Sequence, residues 1–234
     1  MKIHFRFAGV LLLSAASLHA QATGPREFKV DDAWGRDTVQ FRTTAPMEEI
    51  VGTTNEVVGL VRIDPAAVRR PGTQARFDVD LTTIKTGIAM RDGSVMKSLG
   101  AGAQPKATFT LTSVKSASAD TLAPNATVNI VAEGTFSLHG VTRTIEVPAQ
   151  LTYIPRGGPF SQMRPGNFVR MTAAFDIKLA DYNVDRSGPV LVLQVGETAH
   201  VTISALASDA TPAEAETYRQ GAIKYMGKAR GGRP

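Results

Sequence analysis

The chain has 234 residues, 43% of them hydrophobic, no cysteine and a formal net charge of +5. Without thiols there is neither a disulfide framework nor a cysteine metal site, so a folded body must be held by its own core. No apolar run reaches the roughly 20 residues that a membrane-spanning helix requires.

The first residues read as a secretory leader. Lys2 and Arg6 precede the apolar run Ala8 to Ala16, and the small-residue triplet Ala20-Gln21-Ala22 follows. Cleavage after Ala22 would leave about 212 of the 234 residues as a periplasmic or secreted protein. The leader carries two basic residues, and the last 17 residues carry Arg219, Lys224, Lys228, Arg230 and Arg233 without one acid. Removing those seven from 26 leaves 19 basic against 21 acidic residues in the body. The basic excess therefore belongs to the two ends, and the body carries no electrostatic footprint for nucleic acid.

From Phe28 to Ala207 the dominant pattern has period two, the mark of strands with one buried and one wet face. Candidate strands lie at Asp37 to Thr43, with Phe41, and at Val57 to Ile63. ARFDVDLTT sets Phe77, Val79 and Leu81 on one face, and ATFTLTS does the same with Phe109 and Leu111. VNIVAEGTFSL contributes Val128, Ile130, Ala132, Phe136 and Leu138; TIEVPAQLTY contributes Ile145, Val147, Ala149, Leu151 and Tyr153. VRMTAAFDIKL adds Val169, Met171, Ala173, Phe175, Ile177 and Leu179, and two more strands are expected at Leu191 to Val195 and Thr198 to Ala205. Turn signals such as Asp64-Pro65, Arg70-Pro71-Gly72, His139-Gly140, Arg156-Gly157-Gly158-Pro159 and Ser187-Gly188-Pro189 separate them. Between Met90 and Lys106 the alternation fails, which marks an excursion able to form a short helix or cover an opening. About eight antiparallel strands in one domain follow, and a chain of this length builds them into a barrel or a sandwich.

After Asp209 the pattern changes. Thr211-Pro212-Ala213-Glu214 is a capping box with proline at the first helical position. Ala215, Tyr218, Ala222 and Tyr225 then share one face, with Met226 adjacent. Such a helix can brace or lid the body, lie on an anionic membrane or meet a partner protein. Order is expected to be lost from Arg230 onward. The segments are thus a leader at 1–22, a barrel at 23–208 and a helix with a basic tail at 209–234.

The chemistry available is narrow. His4 and His19 depart with the leader, leaving His139 at a strand end and His200 on the outer face of its strand. Neither stands near a recognisable nucleophile and carboxylate, and two histidines without cysteine make no transition-metal site. Asp31-Asp32 and Glu48-Glu49 point to opposite sides of an extended chain and read as solvated pairs. There is no nucleophile elbow, phosphate loop or dinucleotide fingerprint. No catalytic residue, metal or cofactor is expected. What remains is the inside of the body, whose inward set mixes Ala132, Gly134, Ala149 and Ala173 with large apolar residues and holds no charge. Such an interior is either a filled core or a tube for one chain-like lipid, recognised through methylenes at about 0.8 kcal/mol each. The expected wall is Phe41, Phe77, Val79, Leu81, Phe109, Leu111, Ile130, Phe136, Leu138, Ile145, Val147, Leu151, Tyr153, Met171, Phe175 and Ile177. If the core is filled, the alternative is an envelope interaction module acting through the outer surface or the basic tail.

FSLHGVTRTIEVP, from Phe136 to Pro148, resembles the strand, His-Gly-Val-Thr turn and next strand of the YceI-like, polyisoprenoid-binding family, in its periplasmic subgroup. Val58-Gly59, Ile63-Asp64-Pro65, VDLTTIKTG with Arg91-Asp92 after it, QPKATFTLTSV, LADYNV and VGETAHVTISALA follow in the same order as in that family. The resemblance implies an up-and-down, lipocalin-like antiparallel barrel holding an isoprenoid, quinone-like or fatty chain. It implies a carrier rather than a catalyst, often paired as a homodimer. By position His139 and Gly140 belong to the turn, while Arg91 and Asp92 match an arginine-aspartate step at which Arg91 could face a polar head group. Three features depart from the pattern: Trp34-Gly35-Arg36 replaces a His-Ser pair, Gly93-Ser94-Val95 stands where a histidine is expected after Arg91-Asp92, and the helix after Asp209 has no counterpart.

Overall fold

The computed structural model describes residues 24–32, 34–45, 48–157, 165–186 and 195–231. The expected leader, the turn expected at Ser187-Gly188-Pro189 and all but the last residue of the strand expected at Leu191 to Val195 lie outside them. Ten strands and two helices follow in order: β1 (Arg26–Val30), β2 (Thr38–Thr44), β3 (Glu49–Thr54), β4 (Val57–Ile63), β5 (Gln74–Asp80), α1 (Ala89–Ser98), β6 (Lys106–Ala117), β7 (Thr127–Leu138), β8 (Val141–Ile154), β9 (Phe168–Lys178), β10 (Thr198–Ser208) and α2 (Pro212–Gly231). No described helix is long and apolar enough to cross a membrane.

The strands form one antiparallel sheet in the order β1-β4-β5-β6-β7-β8-β9-β10-β2-β3, closed by pairing of β1 with β10. Both β1 and β2 pair antiparallel with β10, at Ser208 and at Ser204 to His200, so they occupy one wall position. Likewise β4 pairs with β1, and β3 with β2. Ten strands therefore fill eight wall positions, two of them broken in the middle. The sequence reading of about eight strands in an up-and-down barrel describes the wall, while β1 and β3 go unforeseen as separate pieces. Two register shifts in β6, at Leu111/Ser113 and Val114/Ser116, add the local bend that barrel closure needs.

The break in the first wall position is the loop from Asp31 to Asp37. Its far end is fixed by Asp37, 3% exposed, whose carboxylate accepts the N–H of Leu206 at 2.9 Å, while its carbonyl accepts Asn55 Nδ2 at 2.8 Å. Asp31, Glu48 and Glu49 are solvated as the sequence suggested and Asp32 is not, its side chain being 1% exposed; each of the four also meets an arginine. Asp32 takes Arg36 at 2.8 Å, Glu48 takes Arg91 at 2.7 Å, Glu49 takes Arg42 at 3.2 Å, and Asp31 takes Arg219. Arg36 comes from the same loop and Arg42 from the same hairpin, while Arg91 and Arg219 arrive from distant elements, which adjacent acids cannot reveal.

One barrel end is shut. Phe28, Val68 and Val169 are fully buried there, with Leu122 and Tyr153 beside them. At the other end α1 crosses the opening where the sequence placed an excursion. Opposite α1, the β7–β8 hairpin turns on His139 and Gly140, both at positive φ (51° and 76°), as a primed two-residue hairpin requires. His139 thus belongs to the turn, and its ring packs on Gly100, where an added Cβ would come within 2.1 Å of Cδ2. His200 is exposed on the outer face of β10, its Nδ1 2.6 Å from Asp176.

The capping box at α2 is formed: Thr211 N–H donates to Glu214 Oε2 at 2.8 Å and Glu214 N–H to Thr211 Oγ1 at 3.3 Å. The helix runs through Arg230 to Gly231, past the point where order was expected to end.

Candidate binding cavity

Inside the barrel lies a cavity of about 510 Å³. Its wall is the inward face of every strand position, and the alternation read from the sequence locates it. Phe41, Phe77, Val79, Leu81, Phe109, Leu111, Ile130, Phe136, Leu138, Val147, Leu151, Met171, Phe175 and Ile177 all border it, together with the small residues Ala132, Ala149, Ala173 and Ala205. Leu81 does so from a 3-10 turn rather than a strand, because Asp80 caps that turn by accepting the N–H of Thr82 at 2.9 Å.

Two expected wall residues do not border the cavity. Ile145 lies on the part of β8 that has left β9, since their pairing stops at Ala149 and Ala173, and it packs against the core there. Tyr153 belongs to the closed floor, edge-on to Phe28 with ring centroids 6.5 Å apart. Its hydroxyl donates to Asn167 Oδ1 at 3.2 Å, the partner that a buried phenol needs. Burial pushes the Tyr153 hydroxyl above its usual pKa, so it stays a neutral donor.

The lumen is kept clear of side chains by cross-strand pairs that the sequence alone does not display. Phe41 faces Gly52 in register, and Phe77 faces Gly59. A Cβ on Gly52 would stand 2.2 Å from the Phe41 ring, one on Gly59 2.5 Å from the Phe77 ring, and one on Gly134 2.6 Å from the Phe109 ring. Each ring therefore lies against bare backbone on the neighbouring strand, flat to the wall instead of across the lumen. Glycine covered by an aromatic neighbour also recovers some of the packing that glycine costs a strand. Toward the hairpin end of the wall, Phe136 meets Phe175 and Tyr182 edge-on at 5.8 and 5.5 Å, a rigid aromatic group where β8 and β9 part.

Charged groups gather at the mouth, while Thr43, Thr54 and Thr73 are scattered along the wall. Ile88, Met90, Arg91, Ser94, Val95, Ser98 and Leu99 border the cavity from α1 and its approach, facing Ala45, Glu48 and Arg186. Arg91 donates to Glu48 at 2.7 Å and to the Thr86 carbonyl at 3.1 Å, which ties α1 to the β2–β3 turn. Asp92, 8% exposed, accepts both the hydroxyl and the N–H of Thr86 at 2.7 Å. These bonds hold its carboxyl below the usual range. The arginine-aspartate step is thus a clamp on the lid helix, with Arg91 also at the cavity rim. Ile88 and Met90, 51% and 85% exposed, carry the apolar surface from the lumen to the outside.

Among the described residues, no group of three or more histidine, cysteine or acidic side chains is placed to hold a metal ion. Such a wall can exclude water and bury hydrocarbon, and its recognition is by length and girth.

The crystal structure of Burkholderia cenocepacia BcnA is similar, with a TM-score of 0.58 and 19% identity over 76% of this chain and 99% of that one. A polyisoprenoid binding domain from Saccharophagus degradans, implicated in plant cell wall breakdown, has a TM-score of 0.58 and 17% identity, covering 79% of this chain and 98% of its own. No curated protein matches the sequence. The model of the YceI-like domain matches residues 28–207, the whole barrel, and the chain belongs to that family.

Proposed function

We propose that this protein is a periplasmic lipid carrier whose barrel holds one long isoprenoid or similar chain, such as a polyprenyl or quinone tail. The observation that carries the reading is the 510 Å³ cavity with an apolar wall, kept open by three phenylalanines lying over glycines. Phenylalanines laid over glycines at the wall favour an open lumen over the alternative of a filled barrel that acts through its outer surface or tail. The kinship with a domain described as polyisoprenoid binding supports a branched chain over a straight one. The leader-like first 22 residues support export. Burying ten carbons of chain would gain on the order of 8 kcal/mol before ordering costs, enough for firm retention. Nothing in the cavity supplies a nucleophile paired with a base, so the carrier reading assigns no catalytic residue. The test is titration of delipidated protein with polyprenols, a prenylated quinone and a fatty acid of matched length. Saturable one-to-one binding of the prenyl compounds supports the reading; no binding of any of them refutes it.

A further inference from the structure

We infer that α2 is an electrostatic arm that seats the barrel on an anionic lipid surface. Two of the features that depart from the family pattern, the Trp34-Gly35-Arg36 step and the terminal helix, meet in space. Trp34 packs on Tyr218 of α2 with centroids 6.4 Å apart, and Arg36 Nη2 donates to the Tyr218 hydroxyl at 2.8 Å. Arg156 pairs with Glu214 at 2.8 Å and Asp31 with Arg219. The Asp31 to Asp37 loop, which breaks the first wall position, is therefore the socket of the helix, and the family match ends at residue 207, before the helix begins.

The docking is confined to the first half of the helix. From Pro212 to Gly221 only Glu214 and Tyr218 are partly buried, while Ala215, Glu216, Thr217, Arg219 and Gln220 are exposed. The helix neither borders the cavity nor covers the mouth. Beyond the socket Ile223 is 54% exposed, and Lys224 is exposed with no acidic group of the described residues within 4.0 Å. A 20-residue helix is about 30 Å long, so its second half reaches well past the two anchored turns.

Charge complementarity identifies the partner. The acids of α2, Glu214 and Glu216, sit in the anchored half; from Arg219 onward the sequence carries five basic residues and no acid. The body has 19 basic and 21 acidic residues, so the positive charge of the mature chain is concentrated on this arm. Spaced cations alternating with Ile223, Tyr225 and Met226 along a helix suit a diffuse plane of anionic head groups rather than a shaped protein pocket. The purpose of the arm rests on the carrier reading, since a lipid carrier must meet the surface from which it loads.

The experiment is co-sedimentation of the chain from Thr23 onward with phosphatidylglycerol-containing vesicles and with pure phosphatidylcholine vesicles, at low and high salt. Binding to the anionic vesicles that high salt reverses is expected. K224E/K228E should lower the partition coefficient at least roughly 25-fold, about fivefold per charge removed, with the melting temperature unchanged. Equal binding to both vesicle types, no binding at low salt, or full binding by K224E/K228E would overturn the proposal; capture of an acidic protein without vesicle binding would overturn it too. A149F, which fills the cavity from within, separates the two readings: it should abolish lipid content and leave vesicle binding intact.

Discussion

Replacing Gly52 with alanine tests whether the lumen is held open by ring-on-glycine packing. The new Cβ would lie 2.2 and 2.6 Å from Phe41 Cε1 and Cζ and 3.0 Å from Ile84 Cγ2, so every close neighbour is a side chain and no backbone must move. Gly134 is less clean, because there the Cβ would also meet the Thr110 carbonyl at 2.4 Å. Restoring ordinary contact requires the Phe41 ring to retreat by more than 1 Å, and the free direction is the lumen. In a filled interior this overpacking would cost about 1–3 kcal/mol. In a hollow one the ring swings inward at the lower end of that range and takes the place of about one or two ligand methylenes. At about 0.8 kcal/mol each, prenyl affinity should fall roughly 4- to 15-fold. The assay is titration of delipidated G52A with a polyprenol, beside a thermal melt. The double variant F41A/G52A should recover binding, because the clash and the displaced ring are both gone. Unchanged affinity in G52A, or no recovery in the double variant, would refute the role given to these pairs.

Two further outcomes follow from the same structure. Ala149 and Ala173 face each other across β8 and β9 and both border the cavity; A149F should keep its melting temperature within about 1 °C while losing lipid, whereas a drop of roughly 4 °C or more, worth over about 1 kcal/mol, would mean a filled core. Glu214 is held down to about 2 from 4.5, chiefly by the Thr211 N–H and then by Arg156 and the Thr211 hydroxyl. Since that pKa is lowered in the folded state, its contribution to capping α2 and, through Arg156, to docking it is present above pH 4.5 and is lost as pH falls toward 2. Trp34 is the sole tryptophan and touches Tyr218, so its fluorescence should report undocking in that window before far-ultraviolet dichroism changes, and E214Q should remove the step. Coincident transitions in the native chain would contradict the assignment.

The barrel was legible where period two ran uninterrupted. Val57 to Ile63 is strand β4 residue for residue, and the inward face of β7 alternates as its sequence does. β3 was not legible, because EIVGTT carries the glycine that Phe41 needs and lacks an alternating apolar face. Nor was the collinearity of β1 with β2, which exists only through their common partner β10. Most of the cavity wall could be named from parity alone. Tyr153 shared the parity yet sits below the cavity, since parity fixes the face of a residue and not its height in the barrel. Whether the barrel was open could not be read at all, because that depends on which glycine a given phenylalanine faces, and register is set by pairing between distant strands.

The most direct measurement is native mass spectrometry, with organic extraction, of the protein recovered from a bacterial periplasm. The carrier account predicts a stoichiometric adduct that extraction identifies as a long isoprenoid or similar apolar chain, and that A149F lacks. A clean unliganded mass from cells making such lipids, with no uptake after incubation with polyprenols, would contradict it.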